Sequence, residues 1–110
     1  MQLLASYLAG SWTHGSTGKA IALVNPATEA VIAEVPGGAH DLAAAFAHAR
    51  GVGARELAAL TFAQRGALLA QLAKALHGAR EELIALAVAN GGNTRGDAKF
   101  DIDGGGVTLS

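Results

Sequence analysis

Residues 61–89 read TFAQRGALLAQLAKALHGAREELIALAVA, and this stretch decides how the chain is organised. Thr61 can cap a first helical turn, and Gln64, three residues on, can reach back to complete a capping box. Leu69, Leu72, Leu76, Ala79, Leu83 and Ala87 then recur at spacings of three and four, with Gln64, Gln71, Lys74, Gly78 and Glu81 on the opposite side. The pattern predicts one amphipathic helix from Phe62 to Ala89, about 42 Å long. A single leucine stripe on a helix of that length needs a sheet or other helices to cover it. Asn90-Gly91-Gly92-Asn93 ends the helix and offers a glycine for a left-handed cap.

Toward the N-terminus the pattern changes to short strands and turns over about residues 7–35. Tyr7-Leu8-Ala9-Gly10-Ser11-Trp12 places aromatic residues on either side of a turn expected at Gly10-Ser11. Ser16-Thr17-Gly18-Lys19 is a second turn, followed by the β-prone run Ala20 to Val24. Asn25-Pro26-Ala27-Thr28 stops that strand, because Pro26 fixes its own φ, lacks an amide donor and pushes Asn25 toward an extended conformation. Ala30 to Val35 forms the next strand, closed by Pro36-Gly37-Gly38. A helix over 41–50 follows, with Asp41 at the positive end of its dipole and Leu42, Ala45, Phe46 and Ala49 as its stripe. Gly51 and Gly53 mark its weak end. After the long helix, residues 93–110 read as a polar, mixed junction, with Gly104 to Ser110 as the start of a further element.

Composition narrows the functional classes. At 110 residues the chain has the length of one small domain, which would bury roughly 65% of its unfolded surface. It is 51% hydrophobic and 15% charged, against disorder, but alanine dominates the apolar count and three Phe, one Tyr and one Trp leave few large anchors. A net charge of −1 is a poor footprint for nucleic acid or anionic lipid. No stretch approaches the 18 or so apolar residues of a membrane span, and no signal peptide is expected. With zero cysteines the chain has no disulfide, thiolate metal site or cysteine nucleophile, which fits a cytoplasmic location.

Candidate sites are thin. Asp97, Asp101 and Asp103 are the densest acidic group, yet they lack the spacing of a calcium loop and read as solvated or capping carboxylates. Gly104-Gly105-Gly106 lacks the preceding strand and the lysine-ending or Gly-x-Gly-x-x-Gly pattern of a phosphate cradle, so a tight helix start is the expectation. His14, His40, His48 and His77 are not spaced as zinc ligands. Ser11 and Ser16 have no identifiable histidine–acid partner. Arg80, Glu81 and Glu82 read as the wet face of the long helix. No catalytic, cofactor-binding or metal residue is therefore assigned.

Taken in order, these segments resemble the N-terminal part of an aldehyde dehydrogenase. Tyr7 to Trp12 is similar to the family's aromatic-aliphatic-x-Gly-x-Trp hairpin. Asn25-Pro26-Ala27-Thr28 followed by Val31-Ile32-Ala33-Glu34-Val35-Pro36 is similar to its Asn-Pro-Ala-Thr-Gly-x-Val-Ile segment, and helices at 41–50 and 61–89, the latter with Gln64-Arg65, follow in the family's order. Leu60 to Arg65, Asn93-Thr94-Arg95-Gly96-Asp97 and Asp101-Ile102-Asp103-Gly104-Gly105 resemble the dehydrogenase part of the bifunctional proteins of phenylacetate degradation. Glu29 departs from the pattern, since the family commonly has glycine there; a glutamate predicts a rearranged or mildly strained turn.

The resemblance implies an α/β fold in which N-terminal β-hairpins, a short helix and a long amphipathic helix form part of a coenzyme-binding domain. It implies an enzyme that uses NAD or NADP to oxidise an aldehyde, here a CoA-linked semialdehyde, through a cysteine nucleophile and a water-activating glutamate. Neither of those residues, nor the cofactor-binding strand-turn-helix, maps onto this segment; Glu34, Glu81 and Glu82 occupy scaffold positions. The expectation is an N-terminal scaffold piece spanning 1–110, inactive alone and binding no cofactor alone, whose partner is the rest of the dehydrogenase or a second copy. The alternative is an interaction protein docking through the leucine face from Leu69 to Leu83. An independent small enzyme is the weakest reading.

Overall fold

The computed structural model describes residues 2–110 and divides into two compact units. The first contains the residues up to Val24 together with Ala30–Ala59, and the second Asn25–Glu29 with Leu60–Ser110. The order of β-hairpins followed by helices is the one expected of part of an aldehyde-dehydrogenase coenzyme-binding fold.

In the first unit, β1 (Ser6–Leu8) and β2 (Ser11–Thr13) pair antiparallel, with Tyr7 opposite Trp12. Their rings meet edge to face, with centroids 5.2 Å apart. The turn is Ala9-Gly10, one residue earlier than expected. Both residues have positive φ, 50° and 83°, as a two-residue hairpin loop requires to match the strand twist. β3 (Ile21–Val24) pairs antiparallel with β4 (Val31–Val35), Ile21 opposite Val35. Ala33 on β4 is the buried residue of this unit among the described residues. The chain start runs parallel beside β4: the Leu4 amide donates to the Glu34 carbonyl (2.8 Å), and the Glu34 amide donates to the Gln2 carbonyl (3.0 Å).

The loops beside these strands meet at closest possible range. The Ser16 amide donates to the Ala39 carbonyl (2.9 Å), and the Ala39 amide returns a bond to the Ser16 hydroxyl (2.9 Å). At Gly38 a β-carbon would overlap the Ser16 carbonyl, and at Gly37 the Lys19 carbonyl. Only glycine allows that backbone approach.

α1 (Leu42–His48) begins as expected, with the Asp41 carboxylate accepting from the Ala44 amide at 2.9 Å. Its end differs from the expected Arg50. The helical path widens into a π-helical turn over Ala49–Gly53 and continues as α2 (Ala54–Ala58). Gly51 and Gly53 loosen the coil without stopping it, because the residues around them, Ala49, Ala54 and Leu57 among them, are good helix formers.

In the second unit, the Asn25 side chain accepts from the Ala27 (2.9 Å) and Thr28 (3.3 Å) amides, closing the Asn25–Glu29 turn. Glu29 sits at φ 61°, so the departure from glycine is absorbed as left-handed strain and the turn is kept. α3 (Phe62–Gly78) starts in the expected capping box: the Gln64 amide donates to Thr61 Oγ1 (3.2 Å) and the Thr61 amide donates to Gln64 Oε1 (2.8 Å). Arg65 lies over the Phe62 ring at 5.1 Å and donates to the Leu60 carbonyl.

Two helical boundaries correct the sequence reading. The expected single helix from Phe62 to Ala89 is two helices, α3 and α4 (Arg80–Gly91), separated at Ala79 with φ −95° and ψ 10°. Gly78 weakens the coil before that point, while Arg80, Glu81 and Glu82 supply a new start whose acids suit a helix N-terminus. The interruption changes which residue is covered: Ile84, outside the expected stripe, is wholly buried on α4. The expected junction over 93–110 is instead a helix, α5 (Arg95–Leu109), capped by Thr94, whose hydroxyl oxygen accepts from the Asp97 amide at 3.2 Å. Gly104 to Ser110 is therefore the end of a helix. Gly92, at φ 68°, gives α4 its left-handed cap, and Pro26 packs so closely that a β-carbon at Gly92 would come within 2.8 Å of it.

Burial is sparse. α5 packs on both α4 and α3, and Ile84 and Ala98 are wholly buried there, yet Leu68, Leu69 and Leu72 on α3 remain nearly half exposed. The 11.0 kDa chain exposes 7965 Å².

Glycine substitutions separate the two uses of this residue. A β-carbon at Gly104 or Gly105 meets open space inside α5. Gly104→Ala and Gly105→Ala should each raise unfolding stability by about 0.5–1 kcal/mol. Gly38→Ala should lower it by more than about 1 kcal/mol through the Ser16 clash. Urea unfolding midpoints give the comparison, and equal effects at the two kinds of site would contradict it.

Candidate functional site

The densest polar chemistry in the second unit joins α4 to α5. The Arg80 guanidinium forks onto Asp103, with Nε on Oδ1 at 2.5 Å and Nη2 on Oδ2 at 2.9 Å. Its remaining nitrogen, Nη1, reaches Glu81 at 2.5 Å, and Arg95 binds the other Glu81 oxygen at 2.5 Å. Helical placement explains the set. Arg80 and Glu81 open α4, Arg95 opens α5, and Asp103 lies two turns further along α5. The Arg80 side chain is 23% exposed, so this is a half-sheltered, bidentate pair rather than a loose surface contact.

The charges tune one another. The hydrogen bonds from Arg80 hold the Asp103 carboxyl below its ordinary range, opposed by desolvation and helped by the charges of Arg80, Lys99 and His77. Arg95 does the same for Glu81, chiefly through its hydrogen bond, with Arg80 adding to it. Asp103 in turn raises the Arg80 guanidinium above its ordinary value. Arg80, Glu81 and Asp103 are thus held in their charged forms, where they can grip but not exchange a proton near neutrality. These shifts run away from neutrality, opposite to what acid–base catalysis needs, so the cluster is a structural clamp.

Beside the clamp, α3 and α5 enclose an open groove of about 580 Å³, with Ala70, Ala73 and Gly106 among its lining and Lys74 and His77 at its side.

The other sequence candidates do not converge. Asp97 caps α5 with Thr94, whose hydroxyl donates to its carboxylate at 2.8 Å; Asp101 is exposed; Asp103 is in the clamp, and so is not the solvated carboxylate expected. Arg80 and Glu81 likewise exceed the wet face expected of them, while Glu82 remains exposed. Among the described residues no cluster of three His, Cys, Asp or Glu could hold a metal. The His14 ring shares a hydrogen bond with the Leu4 carbonyl (3.1 Å), His40 lies against Gly15, His48 sits in the last turn of α1 and His77 in that of α3. Ser11 donates to Leu8 and Ser16 accepts from Ala39, so neither is placed against a general base. Glu34 pairs through its backbone in the first unit.

Sequence reasoning missed the Arg80–Asp103 pair, which spans 23 positions. The available signal was Thr94-x-x-Asp97, the same kind of helix start as Thr61-x-x-Gln64, which puts Asp103 on a helix.

With this geometry in place, comparison with known proteins is decisive. The sequence profile of the aldehyde dehydrogenase family matches residues 12–109. The chain belongs to the aldehyde dehydrogenase family. It is 39% identical over 106 residues to a 3,4-dehydroadipyl-CoA semialdehyde dehydrogenase of Aromatoleum evansii, covering 96% of this chain and 20% of that protein. It is 31% identical over 102 residues to aminoaldehyde dehydrogenase 2 of Zea mays, covering 88% and 20%. Among solved structures it is similar to an NAD-dependent benzaldehyde dehydrogenase of Corynebacterium glutamicum, with TM-score 0.85 and 30% identity, covering 94% of this chain and 22% of that one. The chain thus spans about a fifth of the length of the relatives it matches.

The residues present do not form the dinucleotide site that an aldehyde dehydrogenase implies. Gly104, Gly105 and Gly106 lie within α5, where their amides serve the helix, and Thr108 donates to the Gly104 carbonyl at 2.8 Å. A phosphate cradle needs free amides at a strand-to-helix turn. Among the described residues the sheets are two antiparallel hairpins with no strand-to-helix phosphate turn.

The clamp has a pH signature. Because the folded-state pKa of Asp103 is depressed, its contribution to stability is present above the ordinary aspartate value of 3.8 and is lost as pH falls below it. Asp103→Asn should therefore lower the melting temperature at pH 7, and the difference from the native chain should shrink as pH is taken below about 4. Melting temperatures at both ends of that range provide the measurement, and a constant difference would refute the assignment.

Proposed function

We propose that this chain is the N-terminal scaffold of an NAD(P)-dependent aldehyde dehydrogenase that oxidises a CoA-linked semialdehyde of aromatic degradation in the cytoplasm. The observation that carries the scaffold reading is the exposed surface. Leu68, Leu69 and Leu72 of α3 and Leu86 of α4 are all about half exposed, and Phe62 and Phe100 more so. Large apolar side chains left bare in this way have the character of an unfinished core.

The substrate class rests on a difference in likeness. Identity to the CoA-semialdehyde enzyme is 39%, against 31% and 30% for the aminoaldehyde and benzaldehyde enzymes. That agrees with the resemblance of residues 93–105 to the phenylacetate branch. The chain contributes no nucleophile, having no cysteine, and its carboxylates are committed to caps and clamps or stand exposed. Its own work is to supply hairpins and helices against which the cofactor-binding and catalytic parts are built.

Purified alone with NAD or NADP, the chain should turn over no aldehyde, including a CoA-linked semialdehyde. Co-expressed with the remaining four-fifths of the Aromatoleum evansii relative as a separate polypeptide, it should restore turnover that neither piece shows alone. Sustained activity of the chain by itself would overturn the scaffold reading, and restored activity confined to aldehydes without CoA would overturn the substrate class.

A further inference from the structure

We infer that Asn90-Gly91, at the end of α4, is a site of spontaneous covalent modification, where the asparagine closes to a succinimide and opens to aspartate or isoaspartate. The site needs neither the scaffold role nor a partner.

The chain has three asparagines, and their surroundings separate them. Asn25 is followed by Pro26, which has no amide hydrogen to lose, and its side chain is held by the Ala27 and Thr28 amides at 2.9 and 3.3 Å. Asn93 is followed by Thr94, whose branched side chain crowds its own amide nitrogen and caps α5. Asn90 is followed by Gly91, which has no side chain to shield its nitrogen. Both residues are exposed, and among the described residues no hydrogen bond holds the Asn90 carboxamide. Asp103-Gly104 carries the same chemistry in acid form and is disarmed. Asp103 lies inside α5 in the grip of Arg80 and stays ionised, and a carboxylate resists a nucleophile.

The Asn90 side chain must reach the Gly91 nitrogen, which a closed helix prevents. The last turn of α4 is the part that opens. Its final carbonyls lack intrahelical partners, Gly91 and Gly92 are weak helix formers, and Gly92 leaves the helix at φ 68°. In the opened turn the Gly91 nitrogen attacks Asn90 Cγ. The N–Cγ bond forms, the Cγ–Nδ2 bond breaks, and ammonia departs with the proton of the Gly91 amide. Water then adds to either carbonyl of the ring. Breaking the new N–Cγ bond gives aspartate, and breaking the original peptide bond gives isoaspartate.

The product acts on the helix end. Either acid puts a negative charge at the negative end of the α4 dipole, and isoaspartate also adds a methylene to the main chain. Both disturb the Gly92 amide, which donates to the Val88 carbonyl at 3.0 Å. Gly92 is also the seat of Pro26, which lies too close for a β-carbon there. The modification therefore loosens the α4 cap together with its contact to the Asn25–Glu29 turn.

The test incubates the full chain in warm, mildly alkaline buffer and maps its peptides by mass spectrometry, with enzymatic methylation reporting isoaspartate. Acid should accumulate at position 90 while Asn25 and Asn93 remain amides. Gly91→Ala keeps the fold, because its β-carbon meets only the mobile end of the Asn93 side chain, and should slow the conversion about tenfold or more. Asn90→Asp carries the product's charge from the start and should speed exchange of the Gly92 amide about two- to fivefold. A position 90 that stays amide in the folded chain while it converts in urea would overturn the site, as would a rate unchanged by Gly91→Ala. Gly92 exchange unaltered by Asn90→Asp would overturn the loosening of the cap.

Discussion

The helical part of this chain depends on the packing of α5 against α4 and α3. Ile84 and Ala98 are its wholly buried residues, and the first supplies a few kcal/mol at most by leaving water. That small apolar joint is held by a directed polar one, the bidentate grip of Arg80 on Asp103. The interruption at Ala79 belongs to the same arrangement: it frees α4 from the line of α3 and brings Arg80 and Ile84 to face α5 together. The three consecutive glycines of α5, each a weak helix former, make that second grip matter, since local propensity alone would not hold the last turns helical.

The scarcity of burial has a functional meaning once the family is known. The chain spans about a fifth of its relatives' length and holds no cysteine, and among its described residues no strand-to-helix turn offers free amides to a dinucleotide phosphate. What it does have is bare apolar faces, with half-exposed leucines on α3. Such faces cost a soluble domain stability and solubility if left bare, and they are ordinary if another part of an enzyme lies on them. The chemistry of the family and the incompleteness of this core thus have one explanation in the proposed scaffold role.

Most elements could be read in the sequence where one strong local signal decided them. Asn25-Pro26 located the stop between β3 and β4, Asp41 located the start of α1, and Thr61 with Gln64 located the start of α3. The errors arose at glycines, read as an end at Gly51 and Gly53, as a helix start at Gly104 to Gly106 and as helix interior at Gly78. Gly51 and Gly53 widened a helix, Gly104 to Gly106 sat inside one, and Gly78 preceded a break that an unbroken three-four periodicity concealed. Glycine lowers helix propensity by about 1 kcal/mol, which neighbouring contacts can outweigh, so its presence alone does not mark an end. The clamp was hidden for another reason. Arg80 and Asp103 are paired by the way two helices pack, and no local pattern encodes a contact between residues so far apart.

α4 and α5 stand or fall together through the packing around Ile84 and Ala98. Amide hydrogen exchange on Ile84→Ala tests it most directly, because exchange reports each helix separately. Protection should be lost together across α4 and α5 while the β3–β4 amides of the other unit keep theirs. Loss confined to the turn around residue 84, with α5 protection unchanged, would contradict it.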